Sequence, residues 1–80
     1  MLLEIITPNK KIYTGEIKRV RVPGSKGSFE ILNNHAPIVS SLKKGTIRII
    51  DENDRRHTFA ISGGIVENKN NHIIVLLESA

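Results

Sequence analysis

Apolar residues in this chain recur at alternate positions in short bursts, with turn-favouring residues between them. Val20 and Val22, Phe29 and Ile31, Ile47 and Ile49, and Phe59 and Ile61 are each two apart, the spacing that puts side chains on one face of a pleated strand. Isoleucine and valine dominate the apolar set, and β-branched residues suit that surface. No stretch keeps an i, i+3, i+4 apolar stripe long enough for a stable helix.

The turn residues divide these bursts into strands. Residues 2–7 form one, closed by Pro8-Asn9, and residues 11–14 a second, closed by Gly15. A third, residues 16–22, stops at Pro23-Gly24, because proline fixes φ and removes a ladder donor. Ile17 is out of phase with Val20 and Val22 in that strand. Either both faces are partly buried, or an extra residue near Lys18-Arg19 makes a β-bulge that brings Ile17 inward; the bulge is the preferred reading. Phe29 and Ile31 lie in the next strand, followed by a loop over residues 33–37, since Ala36 precedes a proline. Residues 38–42 lead into a turn at Lys43-Lys44-Gly45. Residues 46–50 then pair with 58–62 across the polar stretch 51–55, placing Ile47, Ile49, Phe59 and Ile61 in the core. Gly63-Gly64 breaks the pattern, and residues 65–67 and 73–78 close a last hairpin around 68–71. Many short strands with regular turns predict an all-β fold, a two-sheet antiparallel β-sandwich or flattened barrel.

Length sets the scale. Eighty residues make a single domain, residues 1–80, which buries only about 60% of the surface of its unfolded chain. Docking onto a larger partner would therefore help it. Cysteine is absent, so no disulfide or thiolate ligand staples the fold. The longest apolar run, residues 73–77, falls far short of the roughly 20 residues of a spanning helix. The N-terminus lacks a signal-peptide or transit pattern, and a cytosolic protein of a prokaryote, or an organelle-encoded one, is the simplest expectation.

Charge adds a direction. The net charge is +4, and the excess falls early, with Lys10, Lys11, Lys18, Arg19, Arg21 and Lys26 set against Glu4 and Glu16 before residue 27. Such a bias fits an acidic partner surface, nucleic acid or anionic lipid, and equally a solvated face that keeps the domain soluble.

Candidate chemistry is sparse. His35, His57 and His72 are far apart and lack metal-ligand spacing. The serines have no nucleophile-elbow context and no base at a recognisable distance. Asp51, Glu52 and Asp54 match no cation loop and read as a solvated hairpin tip. Gly24-Ser25-Lys26-Gly27 is glycine-rich, yet it is not a phosphate-binding loop and no helix follows it. Neither catalytic residues, cofactor nor metal is expected. Binding to single-stranded nucleic acid needs exposed aromatics in a basic groove; only Tyr13, Phe29 and Phe59 are available, and the two phenylalanines have core spacing.

Three ordered motifs carry a family resemblance. Residues 22–38, with Val22-Pro23-Gly24, Gly27 and His35-Ala36-Pro37, resemble the V-P-G-x-x-G turn and G-H-A-P loop of the epsilon subunit of F-type ATP synthases. Leu42-Lys43-Lys44-Gly45-Thr46-Ile47-Arg48-Ile49 is similar to that family's L-K-P-G-x-x-R-I segment, and Ser62-Gly63-Gly64-Ile65-Val66-Glu67 to its S-G-G-x-x-E segment. Three departures stand out: Asn33-Asn34 in place of Pro-Gly, Lys44 in place of proline, and Glu30 in place of glycine. Asparagine tolerates the left-handed region, so the Asn33-Asn34 turn is expected to survive. Gly63-Gly64 is expected to serve backbone geometry rather than contact.

The resemblance implies a non-catalytic β-sandwich on the central rotor stalk. Such a domain packs on the gamma subunit, rests on the polar loops of the c-ring, and couples proton flow to ATP synthesis. It implies one copy within the complex, no nucleic-acid partner, and a peripheral position on the cytoplasmic face of the bacterial inner membrane. A basic surface facing the ring suits anionic headgroups nearby. By resemblance, Lys26, Gly27, Ser28, Phe29 and Glu30 face the c-ring and His35 faces gamma and the ring; a His35 that only hydrogen-bonds its own turn is the alternative. Family members usually continue into a C-terminal helical hairpin that restrains ATP hydrolysis. This chain stops where the hairpin would begin, so a short form without helix-mediated inhibition is expected.

Overall fold

The computed structural model describes residues 1–78. Eight strands follow one another in it: β1 (Leu2–Ile6), β2 (Lys11–Val22), β3 (Phe29–Leu32), β4 (Ile38–Leu42), β5 (Gly45–Asp51), β6 (Arg56–Ile61), β7 (Gly64–Lys69) and β8 (His72–Leu77). Among the described residues there is no helix, so none is long and apolar enough to cross a membrane.

Strand β2 organises the sandwich. At twelve residues it is long enough to serve two sheets in turn. Its first half pairs with β1, in a sheet (sheet A) ordered β4-β7-β8-β1-β2; its second half lies between β3 and β5, in a sheet (sheet B) ordered β3-β2-β5-β6. The change of sheet occurs at a bulge. Ile17 pairs with Asp51 and Arg19 with Ile50, leaving Lys18 unmatched, and this extra residue re-phases the strand. Ile17, Val20 and Val22 thereby all point inward and are buried, as the bulge reading expects.

Two sequence expectations need correction. Gly15 does not end a strand: it pairs with Leu3 inside β2, since a glycine flanked by paired residues can stay in a ladder that its neighbours hold. Nor is the pairing purely antiparallel. β1 and β8 run parallel, from Leu2 beside His72 to Ile6 beside Leu76, because a strand from each end of the domain meets at the middle of sheet A. The two-sheet β-sandwich stands; its first sheet is mixed.

Alternation fills the core from both sheets. Leu3, Ile5, Ile31, Ile47, Ile49, Val66, Ile73 and Val75 are all within 1% of complete burial. Ile47 and Ile49 are thus core residues as expected. Phe29 and Phe59 are only half-buried and flank the cluster.

The last hairpin is tighter than its sequence suggests. β7 continues through Asn68 and Lys69, and only Asn70 and Asn71 turn, both with positive φ (52° and 62°). That is the two-residue connection whose twist matches its strands. Consequently Asn68 lies in a strand, points inward and is 2% exposed. At the other end of β7, a Cβ on Gly64 would run into the backbone carbonyl of Leu76. Close approach requires glycine there, in keeping with a backbone role for Gly63-Gly64.

Candidate functional site

Two loops carry the residues expected to meet partners. The first joins β2 to β3. Pro23 ends β2, and Gly24 then bridges to Leu42 of β4 on the far edge of sheet A. Two backbone bonds reinforce the junction, Ser25 N–H to Ser41 O (3.0 Å) and Lys43 N–H to Pro23 O (2.9 Å), and the Ser41 hydroxyl donates to the Ser25 hydroxyl at 2.8 Å. Gly27 N–H closes the turn on Gly24 O at 2.9 Å. A Cβ on Gly24 would sit 2.6 Å from the Gly27 carbonyl oxygen and 2.8 Å from the Phe29 ring, so the turn packs too closely for any larger residue.

Within this junction Lys26, Gly27 and Ser28 are exposed, Phe29 is half-buried and Glu30 is exposed. An open cavity of about 360 Å³ lies between the turn (Ser25, Lys26, Phe29) and Val39 and Ser40 of β4. Val39 is 68% exposed. The sequence reading missed the contribution of β4, although the apolar Val39 beside two serines is the signal that marks its outer edge. Phe29 and Glu30 diverge: Phe29 turns in against the core, while Glu30 turns outward into a row with Arg21.

The second loop, residues 33–37, lies at the opposite end of β3 and β4. The four residues of β3 separate it from the first by about 13 Å at the usual strand rise. His35 therefore does not join Lys26–Ser28 in one site. The loop is tied to the β7–β8 hairpin: Asn34 N–H donates to Asn71 Oδ1 (2.8 Å), Asn71 Nδ2 to Asn33 Oδ1 (2.6 Å), and Asn68 Nδ2 to the carbonyls of His35 and Ala36 (3.2 and 3.4 Å). Asn34 has φ 63°, the left-handed turn that the asparagines were expected to keep. His35 itself is exposed, with Nδ1 2.7 Å from the Ala36 carbonyl oxygen, a distance at which Nδ1–H donates. Its ring is thus held by its own loop, and its other nitrogen remains available to a partner.

The remaining histidines are in structural pairs. His57 Nε2 lies 2.8 Å from Asp51 Oδ2, and Asp51 Oδ1 accepts the N–H groups of Asn53 and Arg55. The hydrogen bond from His57, then those N–H groups, hold the Asp51 carboxyl below its ordinary range. His72 and Lys11 both reach Glu4, at 2.8 and 2.7 Å, and lower its pKa, Lys11 more strongly. Tyr13 packs edge-on against His57 and Phe59 at 5.3 and 5.8 Å. Its half-buried ring is no free platform for a nucleic-acid base. Among the described residues no three His, Cys, Asp or Glu side chains converge as a metal site would.

The comparison with known proteins turns on one match. The family model of the ATP synthase Delta/Epsilon chain β-sandwich domain covers residues 1–80. The chain belongs to that family. It is similar to the ATP synthase epsilon chain of Chlorobaculum tepidum, 41% identical over 76 residues that make up 95% of this chain and 86% of the relative. The epsilon chain of Desulforamulus reducens is 42% identical over 78 residues, covering 98% of this chain and 58% of the relative. Both relatives bear the name ATP synthase epsilon chain. Among solved structures, a chain of the Euglena gracilis mitochondrial ATP synthase superposes with a TM-score of 0.89 at 19% identity, over 96% of this chain and 49% of that one. A chain from the Tetrahymena thermophila mitochondrial ATP synthase central stalk and c-ring gives 0.81 at 19% identity, over 99% and 63%. At that identity the two show a shared fold. The chain spans most of the Chlorobaculum relative and about three fifths of the Desulforamulus one.

Proposed function

We propose that this chain is a non-catalytic rotor subunit on the central stalk of a proton-translocating ATP synthase. It binds the gamma subunit and the polar loops of the c-ring, and couples proton flow through the ring to ATP synthesis. One copy acts in each complex, peripheral to the membrane on the cytoplasmic face of the bacterial inner membrane. The observation that carries this reading is the family match along residues 1–80.

The loops support it physically. A rotor subunit has to transmit torque, so its contact loops should be held by the sandwich rather than float. Both are. The turn carrying Lys26, Gly27 and Ser28 is bonded to β4, and the loop carrying His35 is bonded to the β7–β8 hairpin. Lys26 and the neighbouring Lys43 and Lys44 lend the first loop positive charge, suited to a site beside anionic headgroups. We assign Lys26–Ser28, flanked by Phe29 and Glu30, to the c-ring side and His35 to the gamma side. Because the two loops lie at opposite ends of β3, they serve two contacts.

The deciding experiment is reconstitution of the complex with and without this chain, measuring ATP hydrolysis and ATP-driven proton pumping together. A coupling subunit predicts that hydrolysis persists without it while pumping fails. Pumping that survives its omission refutes the assignment.

A further inference from the structure

The outer face of sheet B gathers charges that, Glu30 apart, neither loop uses. Strand register sets them in two rows. Leu32, Arg19, Ile50 and Arg56 lie side by side across β3, β2, β5 and β6, and Glu30, Arg21, Arg48 and Thr58 form the next row. Four of the chain's five arginines stand here, and none of its seven lysines does. Arg21 and Arg48 are direct cross-strand neighbours, a like-charge placement that destabilises a sheet. Among the described residues, no carboxylate oxygen comes within ion-pair distance of any of the four guanidinium groups. Glu30 is the one acidic side chain in the cluster, which surrounds a shallow cavity of about 150 Å³.

The choice of arginine narrows the partner. A general positive field needs only charge, and lysine supplies it; a planar guanidinium on a rigid strand adds paired donors that match a carboxylate or phosphate edge. Phosphate sites usually recruit backbone N–H groups as well. Here Arg19, Val20 and Arg21 are paired on both sides by β3 and β5, so only side chains face outward. Leu32 is 50% exposed and Ile50 is half-buried within the same rows, giving the mix of arginine and aliphatic surface found in protein interfaces. No aromatic ring lies in either row to stack a base.

We propose that this face docks a partner protein surface rich in carboxylates, with Arg21 and Arg48 at its centre and Leu32 at its apolar edge. Eight side chains are well short of the roughly 20–30 residues a standard interface uses on each partner, so the isolated contact is weak and the partner is held elsewhere too. The proposal is independent of the rotor reading and concerns a different surface from Lys26–Ser28 and His35.

The test is an amide-resolved NMR titration of the full chain with four probes: a short peptide of glutamate and leucine, the same peptide with glutamine for glutamate, inorganic phosphate, and phosphatidylglycerol vesicles. The glutamate peptide should move the signals of Arg19, Arg21, Arg48 and Arg56, and raising salt from about 50 to 200 mM should weaken it strongly. Arg21→Gln/Arg48→Gln should lower affinity by about tenfold or more, with an amide spectrum as dispersed as that of the parent. Glu30→Gln, at an exposed position, should raise affinity and provides a second readout should the double variant not fold. The proposal is overturned if the signals stay in place, if the glutamine peptide binds as well, or if phosphate or vesicles move them more than the peptide does. It is equally overturned if Glu30→Gln leaves the affinity unchanged.

Discussion

The side-chain amide of Asn68 donates to the carbonyl oxygen of His35 across 3.2 Å. With a longer bond to Ala36, it anchors the loop of residues 33–37 to a residue buried in β7. Asn68→Ala removes both bonds and leaves two loop carbonyls to find water. A loss of about 1–3 kcal/mol in urea unfolding is expected. Faster amide exchange should appear at residues 34–36 and spare β5 and β6, to which the Asn68 side chain makes no hydrogen bond.

The two aromatic and aliphatic core candidates should separate under truncation. Ile47 is fully buried, and Ile47→Ala should cost roughly 2–5 kcal/mol through the cavity it opens. Phe59 sits at the margin, half-buried against Tyr13. Phe59→Ala should therefore fall below the ~3–5 kcal/mol of a fully buried phenylalanine. Equal losses by urea denaturation would contradict the placement of Phe59.

Gly64→Ala tests a close approach. The added methyl meets the Leu76 carbonyl, which is backbone and cannot swing aside, so the end of the β7–β8 ladder must shift. Destabilisation of about 1–3 kcal/mol is expected, as for other overpacked sites, with thermal unfolding as the readout.

Acid should weaken the fold through Asp51 and Glu4. Both carboxyls have lowered pKa values in the folded chain. Their stabilisation is therefore complete above the ordinary carboxylate range near pH 4 and is lost as pH falls through the lowered values. An Asp51→Asn/Glu4→Gln variant should show a shallower loss of stability between pH 6 and pH 3 than the parent chain. A variant that loses as much as the parent would remove both carboxylates from the account.

The proposed contact loops should be separable from folding. His35→Ala, or Lys26→Ala with Ser28→Ala, changes exposed side chains and should alter stability by no more than about 0.5 kcal/mol. In a reconstituted complex the same changes should loosen assembly and reduce ATP-driven proton pumping. Unchanged pumping would remove these residues from the contacts.

Local pattern revealed most strands, and even the bulge at Lys18, because Ile17 had to be reconciled with Val20 and Val22. It failed at Gly15, where a weak strand former is kept in place by Leu3, a partner twelve residues away in sequence. Asn68 was hidden for a related reason. Four polar residues in a row read as a loop, and only the tight Asn70-Asn71 turn returns the first of them to a strand. The arginines were present in the sequence as an alternating pair in β2 and as single residues in β5 and β6. Their meeting depends on register, which no single strand encodes.

The parallel pairing of β1 with β8 has a consequence for synthesis. Leu2 and His72 are neighbours in the ladder but are separated by almost the whole domain along the chain. β1 leaves the ribosome before β8 and must wait, with one edge unpaired, until β8 has been made. Such long-range closure slows folding and exposes a strand edge to unwanted partners in the meantime. The interval is short because the domain is small. Lengthening the path between β1 and β8 would prolong that vulnerable period even if the finished sandwich were unchanged.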